Sequence, residues 1–312
     1  MIWYFLLCLH FIFEIVGVLS HLIFLKLVVF QKIMDFYCSI SLGLISLSMI
    51  LMLVTYFLES AVCLSIGSVF EDDQCAEIPI KKIILCIHRF AEAFSLAAQL
   101  FFTIERVLSI QFSKIQRTLF FKLFFLAGFV FENGFAISYV YTNVILGGYG
   151  LFWLVTFQLA VIANFPFIYY AKRISSSKYK ANVTTYSLKR KHNLYNFYEI
   201  ARSFLYSTAI YMFAQLTCFC ILWGAAVTGV MYSVEFHRWF FVISLIWNAN
   251  LAIFPWIVML IHRSQRERLN RLWSQIFTKS KVSSKILGMN GKELVTTPTQ
   301  FDYFNQLQRA WE

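Results

Sequence analysis

IILCIHRFAEAFSLAAQLFFTIERVLSI, residues Ile83–Ile110, is the stretch on which the reading of this chain turns. It exceeds the roughly 20 apolar residues needed to cross a bilayer as a helix. It is not uniformly apolar. Arg89, Glu92, Gln99, Thr103 and Arg106 recur at steps of three, seven, four and three. On a helix that spacing places them on one face. An ionisable group facing lipid costs about 2.5–3.5 kcal/mol near the midplane. The polar seam must therefore turn toward other helices or toward water, and a spanning helix of this kind requires a bundle around it.

The rest of the chain supplies one. Of its 312 residues 59% are hydrophobic and only 14% are charged, and the mean hydropathy is +0.66. Soluble domains average about 45–50% apolar and about 25% charged, so the class is polytopic membrane protein. Six further apolar runs flank the first stretch. The seven expected spans are Phe5–Phe30, Phe36–Leu58, Ile83–Leu108, Leu119–Tyr141, Leu151–Tyr170, Ser203–Gly229 and Trp239–Ile261. Pro166 is expected to kink span five and Pro255 to break span seven, because proline removes a helix hydrogen bond. The polar segment between spans five and six, through Arg202, reads as the longest internal loop. After span seven, Leu269, Leu272, Trp273 and Ile276 form an apolar stripe opposite several arginines. That is the pattern of a helix lying on the membrane surface, about 263–277. One membrane domain, residues 1–278, is followed by a tail, 279–312.

Charge sets the expected orientation. With the N-terminus outside, 22 of the 27 Lys and Arg fall on inner segments. The positive-inside rule then gives an outer N-terminus and a cytosolic C-terminus. The basic character of the chain thus reflects the lipid bilayer and not nucleic acid. The acidic loop with Glu71, Asp72, Asp73 and Glu77 falls outside, and the sequon Asn182-Val183-Thr184 falls inside, where it is not glycosylated.

Two charge pairs stand out on span three. Glu105-Arg106 sits at its inner end. One reading is a switch, in which the arginine leaves the acid to meet a partner; the other is an arginine snorkelling to lipid headgroups. Arg89 and Glu92 lie one turn apart near the outer end, either lining a ligand cavity or fixing helix packing. Glu14, Glu132, Asn133, Gln158, Asn164, Gln215, Asn248 and Asn250 are further polar groups within spans, with interhelical hydrogen bonds as their default role. No HExxH, GxSxG or Gly-rich phosphate loop is present, and the histidines and the seven cysteines are scattered. The expectation is a protein without catalytic residues, metal or cofactor.

The layout resembles a G protein-coupled receptor, and more narrowly the nematode serpentine chemoreceptors of the Sra superfamily, class epsilon above classes alpha and beta. Glu105-Arg106-Val107-Leu108-Ser109 is similar to that family's ERxxA pattern, with Ser109 in place of Ala. TTYSLKRKHNLYNFYEIARSF, Thr184–Phe204, is similar to its lead into span six, although His192 replaces Tyr and Asn196-Phe197 stand where Glu-Asn is usual. Pro255 followed by His262-Arg263 completes the match. The resemblance implies a plasma-membrane receptor, in sensory cilia, that binds small molecules outside and activates a heterotrimeric G protein inside. Glu105 and Arg106 would be the switch, and Lys189, Arg190, Lys191 and Arg202 would meet the G protein. The ligand would be held by Arg89, Glu92, Gln99, Glu132, Gln215, Trp223 and Asn248. The loop after span four has no cysteine, so Cys86 is expected to pair with Cys75 or Cys63. The alternative is a transporter or ligand-gated channel with Glu14, Glu92 and Glu132 along its path.

Overall fold

A computed structural model describes residues 2–29, 35–67, 75, 78–112, 115, 118–147, 150–181, 188–229 and 234–277, with side chains for all but 2, 151, 188–193, 226, 234–238 and 275–277. Its helices are α1 (Ile2–Phe24), α2 (Phe36–Ser65), α3 (Pro79–Gln111), α4 (Leu119–Tyr139), α5 (Gly150–Ala181), α6 (Leu188–Val227), α7 (Val234–Ile261) and α8 (Arg263–Phe277). Short π-helical turns extend α1 over Leu25–Val29 and α4 over Val140–Ile145. Seven of these segments are long and apolar enough to cross a membrane, and the described chain contains no strand. The protein is a multi-pass membrane protein built on seven helices.

Local sequence explains several boundaries. Asp35 caps α2 by accepting from Cys38 N at 3.0 Å, and Thr118 caps α4 by accepting from Phe121 N at 3.3 Å. Pro79 opens α3 at a position that needs no N–H donor.

α3 is the hub. It packs against α2, α4, α5 and α6, and every residue from Ala93 to Gln99 is buried. α1 joins α2 and α7, and α6 joins α5 and α7, so the ring closes through α3. α4 lies outside that ring against α3. Its buried residues, Phe121, Gly128, Glu132, Ala136 and Tyr139, form a single stripe at helical spacing. The opposite face, with Phe120, Leu123, Val130 and Ile137, is exposed as a lipid-facing surface must be. Gly128 allows the close approach, because a Cβ there would lie 2.1 Å from Phe101 Cε2.

Two expectations about spans six and seven need correction. α7 is not broken at Pro255; it runs unbroken from Val234 to Ile261. Proline at 255 leaves the carbonyl of Leu251 without its usual partner one turn on. His21 of α1 supplies one: Nε2 donates to Leu251 O at 3.2 Å, which leaves Nδ1 to accept from Ser46 Oγ of α2 at 2.9 Å. One buried imidazole thus joins three helices at the proline. The basic segment before span six is also mostly helix and not loop. α5 continues to Ala181 and α6 begins at Leu188. The segment contains no proline or glycine, and Leu194, Ile200 and Ala201 bury an apolar face. The acidic loop residues 71–73 and 77, the sequon and the tail 279–312 lie outside the described residues.

The cysteine pairing is a further correction. Cys63, in the last turn of α2, is bonded to Cys75, with their Cα atoms 5.3 Å apart. Cys86 is free. It lies seven residues inside α3, about 10 Å along the axis from Pro79. There it lines a shallow apolar groove with Ile87, Phe90 and Ile137.

Candidate functional site

The end of the bundle that carries the N-terminus encloses a cavity of about 570 Å³ among α2, α3, α4, α5, α6 and α7. Cavities that bury small molecules span about 300–1,000 Å³ and are mostly apolar with a few placed polar groups. This one has walls of Tyr56, Tyr139, Trp153, Phe157, Trp223 and Trp247. The rings are fixed in place. Trp153 donates from Nε1 to Thr142 Oγ1 at 2.6 Å, so the π-helical turn after α4 anchors one wall. Tyr139 meets Trp153 edge-to-face at 5.1 Å and Phe157 at a tilt at 4.8 Å, and Tyr211 backs Trp247 at 5.1 Å.

Arg89 and Glu92 supply the charge in that wall. Arg89 Nη1 donates to Glu92 Oε2 at 2.8 Å, and Tyr139 O–H donates to the same oxygen at 3.3 Å. The pair is partly exposed, to the cavity it lines.

Of the residues expected to hold a ligand, Arg89, Glu92, Gln215 and Trp223 line the cavity together. Gln99, Glu132 and Asn248 are not among its lining residues. Gln99 lies deeper on α3, where its amide donates to Ser95 Oγ at 3.4 Å. Glu132 belongs to the stripe that α4 buries against α3. Asn248 is committed to α1: its Nδ2 donates to Glu14 Oε1 at 3.1 Å, and that oxygen is 2.7 Å from His10 Nδ1. The three are buried because their helices pack, and packing is a different reason for an inward face than a ligand is. Of Glu14, Glu92 and Glu132, only Glu92 reaches the cavity. Gln158, seen in the sequence only as one more intramembrane amide, also lines it.

The opposite end of α3 holds Arg106, 14 residues and about 21 Å from Glu92. Its side chain is only 1% exposed, which overturns the reading of an arginine reaching out to headgroups. Nε and Nη2 donate to the Glu105 carboxylate at 2.5 and 2.6 Å. Nη1 and Nη2 donate to Asp35 Oδ2 and Oδ1 at 2.7 and 3.0 Å. Both pairs are bidentate, the strongest geometry an arginine offers. Ser109 Oγ donates to Glu105 at 2.6 Å. The rings of Phe102 and Phe197 lie 5.7 and 5.6 Å from the guanidinium. Burial would raise the pKa of Asp35, but the charge and hydrogen bonds of Arg106 outweigh it and hold the carboxyl below the usual range.

Asp35 is the residue that sequence reasoning missed. It stands immediately before an apolar run, which marks an N-cap. Its second role is invisible locally, since Arg106 is 71 positions away. Among the residues expected to meet a partner protein, Arg202 is 42% exposed and 3.7 Å from Glu199 Oε1. Lys189, Arg190 and Lys191 fall in the first turn of α6, with side chains outside the described set. Lys178 of α5 caps α3 instead, donating to Ile110 O and Gln111 O, each at 2.9 Å.

No family model matches the chain, and no curated protein matches its sequence.

Proposed function

We propose that this chain is a G protein-coupled chemosensory receptor of the kind its sequence resembles, the nematode serpentine class. A small molecule binds in the cavity at the N-terminal end, and a heterotrimeric G protein is engaged at the α8 end. The observation that carries the reading is the arrangement of Arg106: a fully buried arginine clamped between two carboxylates on different elements. A buried pair becomes costly when one partner is removed, so such a clamp has two well-separated arrangements, closed and released. A ligand shifts a two-state bundle by its differential affinity for the two states. Glu105 and Arg106 are the switch, Asp35 is the latch, and the basic start of α6 with Arg202 is the contact for the G protein.

Two independent features support an outer N-terminus and a cytosolic C-terminus in the plasma membrane. Basic residues concentrate toward the α8 end, as the positive-inside rule requires. The Cys63–Cys75 disulfide joins α2 to the segment before α3 at the other end, and such bonds persist in oxidising compartments. Epitope tags on both termini test the reading in whole cells. Antibody reaching the N-terminal tag without permeabilisation, and the C-terminal tag only after it, is the expected result. A shared side, or an outer C-terminus, overturns the receptor reading.

A further inference from the structure

The cavity specifies more than a size. Its walls are aromatic faces and edges, surfaces that favour another ring over a flexible aliphatic chain through offset and edge-to-face packing. Its charged lining residues, Arg89 and Glu92, neutralise each other at 2.8 Å, and Tyr139 tightens the pair. A ligand with net charge would have to separate that pair or sit unpaired beside it, so the wall selects against both anions and cations.

Gln158 supplies the third constraint. It lies on α5 next to Phe157 and five residues beyond Trp153, lines the cavity and is only 6% exposed. Its Oε1 is buried and has no hydrogen-bond partner among the described residues. A buried amide oxygen without a donor carries a desolvation cost that a bound donor relieves. A site built this way rejects an analogue that lacks the matching group.

We propose that the cavity takes a neutral aromatic or heteroaromatic molecule carrying a hydrogen-bond donor, which Gln158 accepts. The proposal rests on reading this cavity as the ligand site, and it adds the chemical class of the ligand.

The test uses purified full-length chain in detergent and four probes: indole, 1-methylindole, indole-3-acetate and tryptamine. Indole and 1-methylindole differ in the single N–H that Gln158 would accept. The charged probes carry the same ring with one sign of charge or the other. Thermal unfolding is followed across a titration of each. Indole is expected to raise the unfolding midpoint and to bind about fivefold tighter than 1-methylindole, one net hydrogen bond. Neither charged probe should match indole. Gln158→Leu removes an unpartnered polar group at similar size, so the variant should fold, and it should bind the two neutral probes equally. The proposal is overturned if indole gives no shift, if 1-methylindole binds as tightly as indole, if a charged probe binds more tightly, or if Gln158→Leu keeps the preference for indole. None of these readouts involves a G protein or membrane sidedness. A failed topology would sink the receptor reading and leave the cavity chemistry separately decided.

Discussion

At one end of α3, Arg89 and Glu92 pair in a cavity wall with side chains 24% and 18% exposed; at the other, Arg106 and Glu105 pair at 1% and 0%. The two pairs look alike in the sequence, an acid and a base on one helix. Their surroundings differ. The first pair makes part of a cavity wall that also holds Gln158, whose buried Oε1 has no hydrogen-bond partner among the described residues. The second is closed on itself, with Glu105, Asp35 and Ser109 joined around one guanidinium. One end leaves a cavity beside its ion pair, and the other closes its charges on one another.

The contrast breaks most sharply at the arginines. Arg106→Leu strands the Glu105 carboxylate in the interior and should cost about 3–5 kcal/mol. Arg89→Leu, at a partly exposed pair, should cost about 1 kcal/mol or less. Thermal unfolding and the yield of monodisperse protein measure both. Equal losses would erase the distinction between the ends.

Reduction probes the cavity end alone. The Cys63–Cys75 bond closes a loop of sequence separation 12, and removing it should cost about 3 kcal/mol by loop-closure entropy. Dithiothreitol should lower the unfolding midpoint of the wild type and leave a Cys63→Ser/Cys75→Ser variant unchanged. An equal response in both would assign the effect elsewhere.

Acid probes the α8 end. His262, between α7 and α8, has its pKa lowered from 6.5 to about 4, first by burial and further by Arg268. The unfolded chain therefore takes up this proton at a higher pH than the folded chain does. The stability it represents is fully present above pH 6.5 and is lost as pH falls through about 4. The loss is on the order of 3 kcal/mol. His262→Gln should flatten the pH dependence of unfolding across that window, and an unchanged slope would remove His262 from the account.

The smallest effect compares two glycines of α4. Gly128→Ala meets Phe101 and should cost about 1–3 kcal/mol by overpacking. Gly134 has nothing within 4 Å of a built Cβ, and Gly134→Ala should be neutral or stabilising by up to about 1 kcal/mol. The difference in unfolding midpoint between the two variants checks the placement of α4 on α3.

Much of this architecture was legible in residue spacing. The seven spans follow from apolar runs, and the polar seam on Ile83–Ile110 marks the central helix because ionisable groups avoid lipid. What a linear pattern does not carry is which inward face meets a cavity and which meets a neighbour. Glu92 and Glu132 are both intramembrane carboxylates, yet only Glu92 lines the cavity. Pro255 reads locally as a break; the helix continues, and the freed Leu251 carbonyl is engaged by His21, 230 positions from it. Asp35 escaped notice as the partner of Arg106 for the same reason, since the two are 71 positions apart. Cys86 read as a disulfide partner because it lies near the end of its span, but its two expected partners, Cys63 and Cys75, bond each other.

The central claim is that releasing Arg106 at the α8 end activates a G protein. Asp35→Asn tests it most directly. Asparagine keeps an N-cap acceptor for Cys38 N and removes the charge that holds the guanidinium. Wild type and variant would be reconstituted in vesicles with purified heterotrimeric G protein, and GTPγS uptake measured without ligand. The account expects uptake to rise several-fold in Asp35→Asn over wild type, with Glu105 still in place to keep the protein folded. Uptake in both no faster than in empty vesicles would contradict it.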